Sequence, residues 1–410
     1  MWLSISVPAT TKPRLYTGFV TVNARKKYRM KISLNVLDKI LPPPAEWKFD
    51  LDLWQHPATI ARINKVALWS KIHFDKMRPY YSMLAAAVQK CITVSIINEP
   101  WGHQTFDDFP SLVKWIKKKD GTWVFDYSLF DRYISFVRSC RINNRINCYT
   151  MIPWKLSFQY YDESFMKDTV LNAKPGSVEY NAHWGVMLKD FTKHLKEKKG
   201  FYITSISMDE RPMKDMQAVI KLVKEIDPEW KIALAGEFHK EIEKDVYDYC
   251  VASQWQLLDT VMEERKRGGK PTTFYTCCAE AYPNGFTFSP PAEQVWLGWY
   301  AAAKGFTGYL RWAYNSWPKN SIADSRFTAW PAGDTYQVYP GPLTSIRFEK
   351  LIEGIQDFEK VRLLKEQLQK AGKENELKEL DTMLASFEIE KLKNIPAAEM
   401  IERAKEIINR

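Results

Sequence analysis

From Trp2 to about residue 41, apolar and polar residues alternate through the stretches WLSISV, YTGFVTV and YRMKISLNVL. A period of two places the apolar side chains on one face of an extended strand. The pattern predicts two or three antiparallel strands, with turns at Lys12-Pro13 and between Asn23 and Lys27. So few strands cannot bury both faces of a sheet. They are expected to form part of a β-sandwich whose other strands lie elsewhere. LPPPAEW, residues 41–47, reads as a stiff linker, since proline lacks the N–H that a helix or ladder needs.

After the linker the pattern changes. Short apolar runs alternate with longer stretches of helical period. Predicted strands cover residues 48–54, 91–97, 147–153, 201–208, 231–237, 249–253, 272–278 and 307–313. Predicted helices cover 128–140, 182–198, 213–226, 256–267 and 291–304. In 213–226, Met216, Val219, Ile220 and Val223 fall on one face. Eight strands, each followed by a helix, is the count of a closed (β/α)8 TIM barrel. A doubly wound open sheet would usually carry a glycine-rich phosphate turn, and no GxGxxG or P-loop pattern occurs. The fold class is therefore α/β. The expected layout is a β-strand segment over 1–45, a barrel over 46–365 and a C-terminal helical extension over 366–410.

Composition narrows the function classes. The net charge is +10, but the basic clusters at 25–27, 117–119, 196–199 and 265–267 are short and sit near turns and helix ends. No basic stripe or nucleic-acid motif forms, so no nucleic-acid partner is expected. No apolar run reaches membrane-spanning length, and MWLSISVP lacks the layout of a signal peptide. None of the six cysteines has metal spacing. Cys277 and Cys278 are neighbours, and a bond between them would be strained, so all six are read as reduced. His239 with Glu241 and Glu243 reads as a charged helix start. No metal and no cofactor are expected. Aromatic residues reach 14%, with 16 Trp, which suits packed layers or a surface for stacking on flat ligands.

In a barrel the reactive groups stand at the C-terminal ends of the strands. Polar and aromatic residues gather at those positions here. NEPWGHQTFDD follows the second strand, Trp154 ends the third and DERP ends the fourth. GEFH ends the fifth, CCAEAYPN follows the seventh and RWAYNSW ends the eighth. Carboxylates for acid chemistry beside aromatic faces suit a sugar. In SISMDERP, residues 205–212, Ser205, Ser207 and Asp209 share one strand face, and Ile206 and Met208 share the other. Asp209 then points into the barrel mouth. Glu210 lies past the last ladder position and is free to turn the same way. Pro212 is expected at the first position of the next helix. The helix dipole favours ionised acids there, so burial must offset it if Glu210 is to stay protonated. The bland alternative is that Asp209 caps the helix and Glu210 pairs with Arg211.

From about residue 90 to 360 the chain resembles the glycoside hydrolase family 123 catalytic domain. This is the β-N-acetylgalactosaminidase family also described as domain of unknown function 4091. SISMDE, FYTCCAEAYPNGFTFSP, GFTGYLRWAYNSW, WPAGDTYQVYPG and SIRFEKLIEGIQDFEK carry the resemblance and are specific together. The resemblance implies a β-sandwich followed by a barrel. The first 41 residues resemble the end of that sandwich, so the chain is expected to begin inside it.

The resemblance also implies substrate-assisted retaining hydrolysis, in which the sugar's 2-acetamido oxygen attacks C1 and the protein supplies no nucleophile. By the Asp-Glu motif, Asp209 would hold the acetamido N–H. Glu210 would protonate the leaving oxygen and later activate water. Tyr275 is a candidate to hydrogen-bond the acetamido oxygen. Trp312 and Trp317 are candidates to wall the methyl group or stack on the ring, one of the two being core. His103, Glu237, Asn315, Asp324 and Asp334 are candidates to grip ring hydroxyls. The expected substrate is a glycan or glycolipid with a terminal N-acetylhexosamine, β-linked N-acetylgalactosamine first. A β-GlcNAc-specific enzyme and a non-catalytic carbohydrate-binding protein are the alternatives. The family's members point to a periplasmic or extracellular location.

Overall fold

A computed structural model describes residues 3–409. The first long strands are β1 (Arg14–Asn23) and β2 (Lys27–Val36), an antiparallel hairpin closed by the pair Asn23 and Lys27. Residues 3–7 of the WLSISV stretch form no strand, and Trp2 lies outside the described residues.

The barrel begins with β3 (Asp50–Leu53), the helices α1 (Pro57–Asn64) and α2 (Lys71–Ala86), and β4 (Cys91–Ser95). Two short strands follow, β5 (Lys114–Lys117) and β6 (Trp123–Asp126), then α3 (Ser128–Ser139) and the barrel strand β7 (Arg145–Tyr149). A second excursion is built from β8 (Ser157–Asp162) and β9 (Lys167–Asn172). The barrel resumes with α4 (Val178–Glu197), β10 (Thr204–Met208), α5 (Met213–Ile226), β11 (Lys231–Gly236) and β12 (Val246–Ala252). It ends with α6 (Asp259–Arg267), β13 (Thr272–Tyr275), α7 (Ala292–Lys304), β14 (Gly308–Arg311) and α8 (Ile346–Lys370).

The eight expected barrel strands are all present, and their neighbours pair in parallel from β3 through β14 round to β4. The seam between β3 and β4 is thin. Leu51 bridges Gln89, and the Lys90 N–H donates to the Leu51 carbonyl at 2.9 Å. Two departures from the expected repeat stand out. The connection from β11 to β12 holds turns in place of a helix, being too short for a helical crossover. The excursions also pair with one another, β5 parallel to β8, as a four-stranded sheet ordered β6-β5-β8-β9. These strands are mostly exposed or half-buried and mixed in polarity, so they lack the apolar runs that mark the barrel strands.

Outward residues of the barrel strands, such as Leu51, Val94, Ile206 and Met208, are buried against the helix ring. Inward residues are largely polar. Arg145 on β7 contacts Asp50 on β3 at 2.7 Å and Asp248 on β12 at 3.0 Å, reaching across the interior between strands that are not neighbours. The C-terminal helices α9 (Glu374–Leu384) and α10 (Ala397–Ile408) pack on α7 and α8. Between α7 and α8, Gly298 faces Gly354, and a Cβ on Gly298 would fall 2.0 Å from the Gly354 carbonyl oxygen. Only two glycines allow that approach. Among the described residues no helix is long and apolar enough to cross a membrane.

Candidate active site

Strand β10 ends at Met208, and the two acids follow it at once. Asp209 continues the inward parity of Ser205 and Ser207 and is 8% exposed. Glu210 is exposed and turns toward β13, where the Tyr275 hydroxyl donates to its Oε1. Neither acid serves the helix start. α5 has no side-chain cap, and Pro212 occupies the cap position, one residue before the first helical one. The Arg211 guanidinium lies over the Trp154 ring, 5.1 Å from its centroid.

Burial acts on Asp209. It raises the Asp209 carboxyl to about 6, with the neighbouring Glu210 charge adding to the rise and the Trp101 hydrogen bond opposing it. Trp101 Nε1 donates to Asp209 Oδ2 at 2.9 Å. Asp209 Oδ1 is buried and has no partner. A buried carboxylate oxygen without a donor is costly and marks a place where a ligand N–H would be welcome.

Two hollows meet at this pair. The first is a mouth cavity with aromatic walls from Trp54, Trp101, Trp154, Trp312 and Trp330. The second is a wider cleft with polar walls from Glu237, His239, Gln254 and Glu280, and with Trp255. Asp209, Glu210, Tyr275, Cys277 and Cys278 line both. The acid pair thus stands on the partition between an aromatic chamber and a polar groove.

Four of the tryptophans, Trp54, Trp101, Trp154 and Trp330, and Gln104 belong to the cavity without having been singled out as binding residues in the sequence. Trp54 follows β3 and keeps the inward parity of Asp50 and Asp52, so parity was a usable signal for it. Trp101 and Gln104 lie in the loop after β4, and Trp330 lies well beyond β14, where no local period applies. The Trp330 indole donates to the Gln104 carbonyl at 3.0 Å and meets Trp312 edge-on at 5.9 Å, which clips the two loops together over the cavity.

The remaining expected residues divide by position. Trp312 and Tyr275 line the cavity, and Glu237 lines the cleft. Trp317 is core: it is fully buried and donates to the Val338 carbonyl at 2.6 Å. Asn315 is also buried, pairing with the His56 backbone in both directions at 2.9 Å, so its amide is spent on joining loops. Asp334 is fully buried against Arg311 at 2.7 Å, which leaves it no route to a hydroxyl. Asp324 is exposed and paired with Arg326, whose hydrogen bond lowers its carboxyl to about 2; it lines neither hollow. His103 is exposed, shares a hydrogen bond with Asp108 at 2.7 Å and lines neither hollow; Gln104, its neighbour, reaches the cavity instead. The structure does bring Glu99, His103 and Asp108 within 4.8 Å of one another, a grouping the spacing gave no hint of. Glu99 is already engaged by the His103 and Phe109 N–H groups.

The family model of the glycoside hydrolase 123 catalytic domain matches residues 54–364, about three quarters of the chain. The chain belongs to glycoside hydrolase family 123. A family 123 glycoside hydrolase from Clostridium perfringens, solved in work on glycolipid glycan hydrolysis, is similar over 99% of this chain and 76% of its own. That pair shares 30% sequence identity with a TM-score of 0.89. More distant structures include the endo-β1,6-glucanase BT3312, at 11% identity and a TM-score of 0.45, covering 82% of this chain and 83% of its own. A maltogenic α-amylase from Thermotoga neapolitana has 10% identity and a TM-score of 0.41, covering 76% of each chain. A comparison with curated proteins gives no match. The family 123 chain is a glycosidase, and the hollows at Asp209 and Glu210 are its candidate active site.

Proposed function

We propose that the chain releases terminal β-linked N-acetylgalactosamine with retention, using the sugar's own acetamide as nucleophile. The observation that carries the reading is the Asp209 carboxyl, with Oδ2 fixed by Trp101 and Oδ1 buried and unpartnered at the cavity wall. An ionised Oδ1 accepts the acetamido N–H and pushes electron density to the carbonyl oxygen. That oxygen attacks C1 as the glycosidic C1–O bond breaks, forming an oxazoline-type ring. Glu210, on the partition, protonates the departing oxygen, which leaves into the polar cleft. It then takes a proton from the water that opens the ring at C1. Tyr275, assigned from the resemblance to the acetamide, donates here to Glu210 and so orients the acid.

The Clostridium perfringens relative acts on glycolipid glycans, and the same substrate class is proposed for this chain. The test uses aryl β-GalNAc and β-GlcNAc glycosides with Glu210→Gln and Asp209→Asn. Each variant is expected to lose roughly 10²–10⁴ of turnover, and a thiazoline mimic of the intermediate should inhibit the parent enzyme. Full activity in either variant would sink the assignment. Faster β-GlcNAc turnover would move the specificity. Sugar binding without hydrolysis would leave a carbohydrate-binding protein.

A further inference from the structure

Cys277 and Cys278 are the reactive groups at the partition that the proposed hydrolysis does not use. All six cysteines are unpaired, and the other four are buried in the barrel and its helix ring. Cys278 is exposed and Cys277 is half-buried, and both line the aromatic cavity and the polar cleft. Their turn is tied down on both sides of the first thiol. The Cys277 N–H donates to Glu280 Oε2 at 2.8 Å, and the Asn284 side chain donates to the Cys277 carbonyl at 2.7 Å. Asn284 also donates to the Glu280 carbonyl at 2.7 Å.

That anchoring separates two fates for a neighbouring thiol pair. A direct disulfide between adjacent residues requires their Cα atoms and peptide to leave ordinary trans geometry, and the tied backbone opposes it. A single soft atom bonded to both sulfurs requires only side-chain rotation. Thiolates are the side chains that select soft ligands. The two thiols also interact: Cys278 gives up its proton more readily than an ordinary cysteine because Cys277 hydrogen-bonds to it, while Cys277 holds its own more tightly. One of the pair is therefore primed as the first nucleophile.

We propose that Cys277 and Cys278 form a dithiol site for soft ligands of the trivalent-arsenic class, and that filling it closes the partition to sugar. An aryl arsenoxide reacts with both thiols. Two As–S bonds form, the As–O bonds break, and the oxygen leaves as water carrying both thiol protons. Arsenic remains trivalent throughout. The blocking half rests on the reading of the cavity as the sugar site; the binding half does not.

Phenylarsine oxide is the probe, with the intact folded protein read by mass spectrometry and by aryl glycoside turnover. The expected adduct is one phenylarsenic per chain with loss of two hydrogens. It should be removed by 2,3-dimercaptopropanol and not by a monothiol. Cys277→Ser and Cys278→Ser should each lose the monothiol-resistant adduct, and each variant's rate is compared with its own untreated rate. No adduct on the parent protein, or an adduct of equal stability in both serine variants, overturns the site. A parent adduct with unchanged turnover overturns the blocking. If the untreated parent has no turnover, the mass result still decides the site, and the proposed hydrolysis is what fails.

Discussion

The Trp101 indole and the Asp209 carboxyl meet across 108 residues of sequence, Nε1 donating to Oδ2 at 2.9 Å. The bond fixes one carboxylate oxygen and thereby aims the other, the unpartnered Oδ1. Trp101→Phe keeps a ring in the same place and removes the donor. A hydrogen bond to a charged group is worth about 1.5–3 kcal/mol, so kcat/KM on an aryl glycoside is expected to fall roughly 10-fold to 100-fold. Unchanged kcat/KM would show that Asp209 needs no such support.

The same pair sets a pH dependence. With Oδ2 taken by the Trp101 N–H, a proton on Asp209 sits on Oδ1 and turns it into a donor, so Oδ1 accepts an N–H in the ionised form, and burial raises the carboxyl to about 6. The acidic limb of kcat/KM, which reports the free enzyme, is expected near that pH, with activity lost below it. In Trp101→Phe the opposing hydrogen bond is gone, so the limb should move to higher pH. A limb that stays put or moves down contradicts the assignment of Asp209.

Tyr275→Phe tests how Glu210 is held. The hydroxyl donates to Glu210 Oε1, and the ring lines both hollows. Loss of the hydroxyl leaves the walls in place and the acid loosely oriented. kcat is expected to drop about 10-fold or more, with KM little changed. A rise in KM at constant kcat would instead mark Tyr275 as a binding group.

Asp334, expected from sequence to grip a hydroxyl, is instead half of a fully buried ion pair with Arg311, which also donates to Asn284 Oδ1 at 2.8 Å. Its removal leaves the Arg311 charge uncompensated. Asp334→Ala is expected to cost about 3–5 kcal/mol in denaturant unfolding. It should also loosen the loop that carries Trp330. A surface-like change in stability would contradict the burial.

Deep in the barrel, burial raises the Asp52 carboxyl to about 7, with Arg145 opposing and Asp248 and Asp50 adding to the rise. A carboxyl whose folded pKa exceeds its unfolded one favours the fold when protonated. Its contribution is fully present below the unfolded value of 3.8 and is lost as pH rises through 7. Asp209 acts in the same direction over a narrower window. Stability measured at about pH 5 and about pH 8 should therefore differ less in Asp52→Asn than in the parent. An equal pH slope in both would remove Asp52 from the account.

Much of this was legible in the sequence because it depends on local periods. The short apolar runs and the spacing of three and four located all eight barrel strands and the helices α3 to α7 to within a few residues. Strand parity put Asp209 inside, and the same parity carries Tyr275 on from Thr273 and Trp312 on from Gly308 and Leu310. Local pattern failed where the chain leaves the ladder. Trp312 and Trp317 look alike in RWAYNSW, yet one walls the cavity and the other is core. Asn315, Asp324 and Asp334 look equally available for hydroxyls and are instead engaged with His56, Arg326 and Arg311.

The sequence by itself determined the alternating strand-and-helix plan, the inward face of β10 and the adjacency of two acids at its end. Only the tertiary structure decided how those acids differ. Burial and the distant Trp101 act on Asp209, while Glu210 stays open to both hollows and is held by Tyr275 from across the barrel. The reason is physical. A side chain's direction on a strand follows from its own backbone, but desolvation and hydrogen-bond partners come from residues that chain folding brings near.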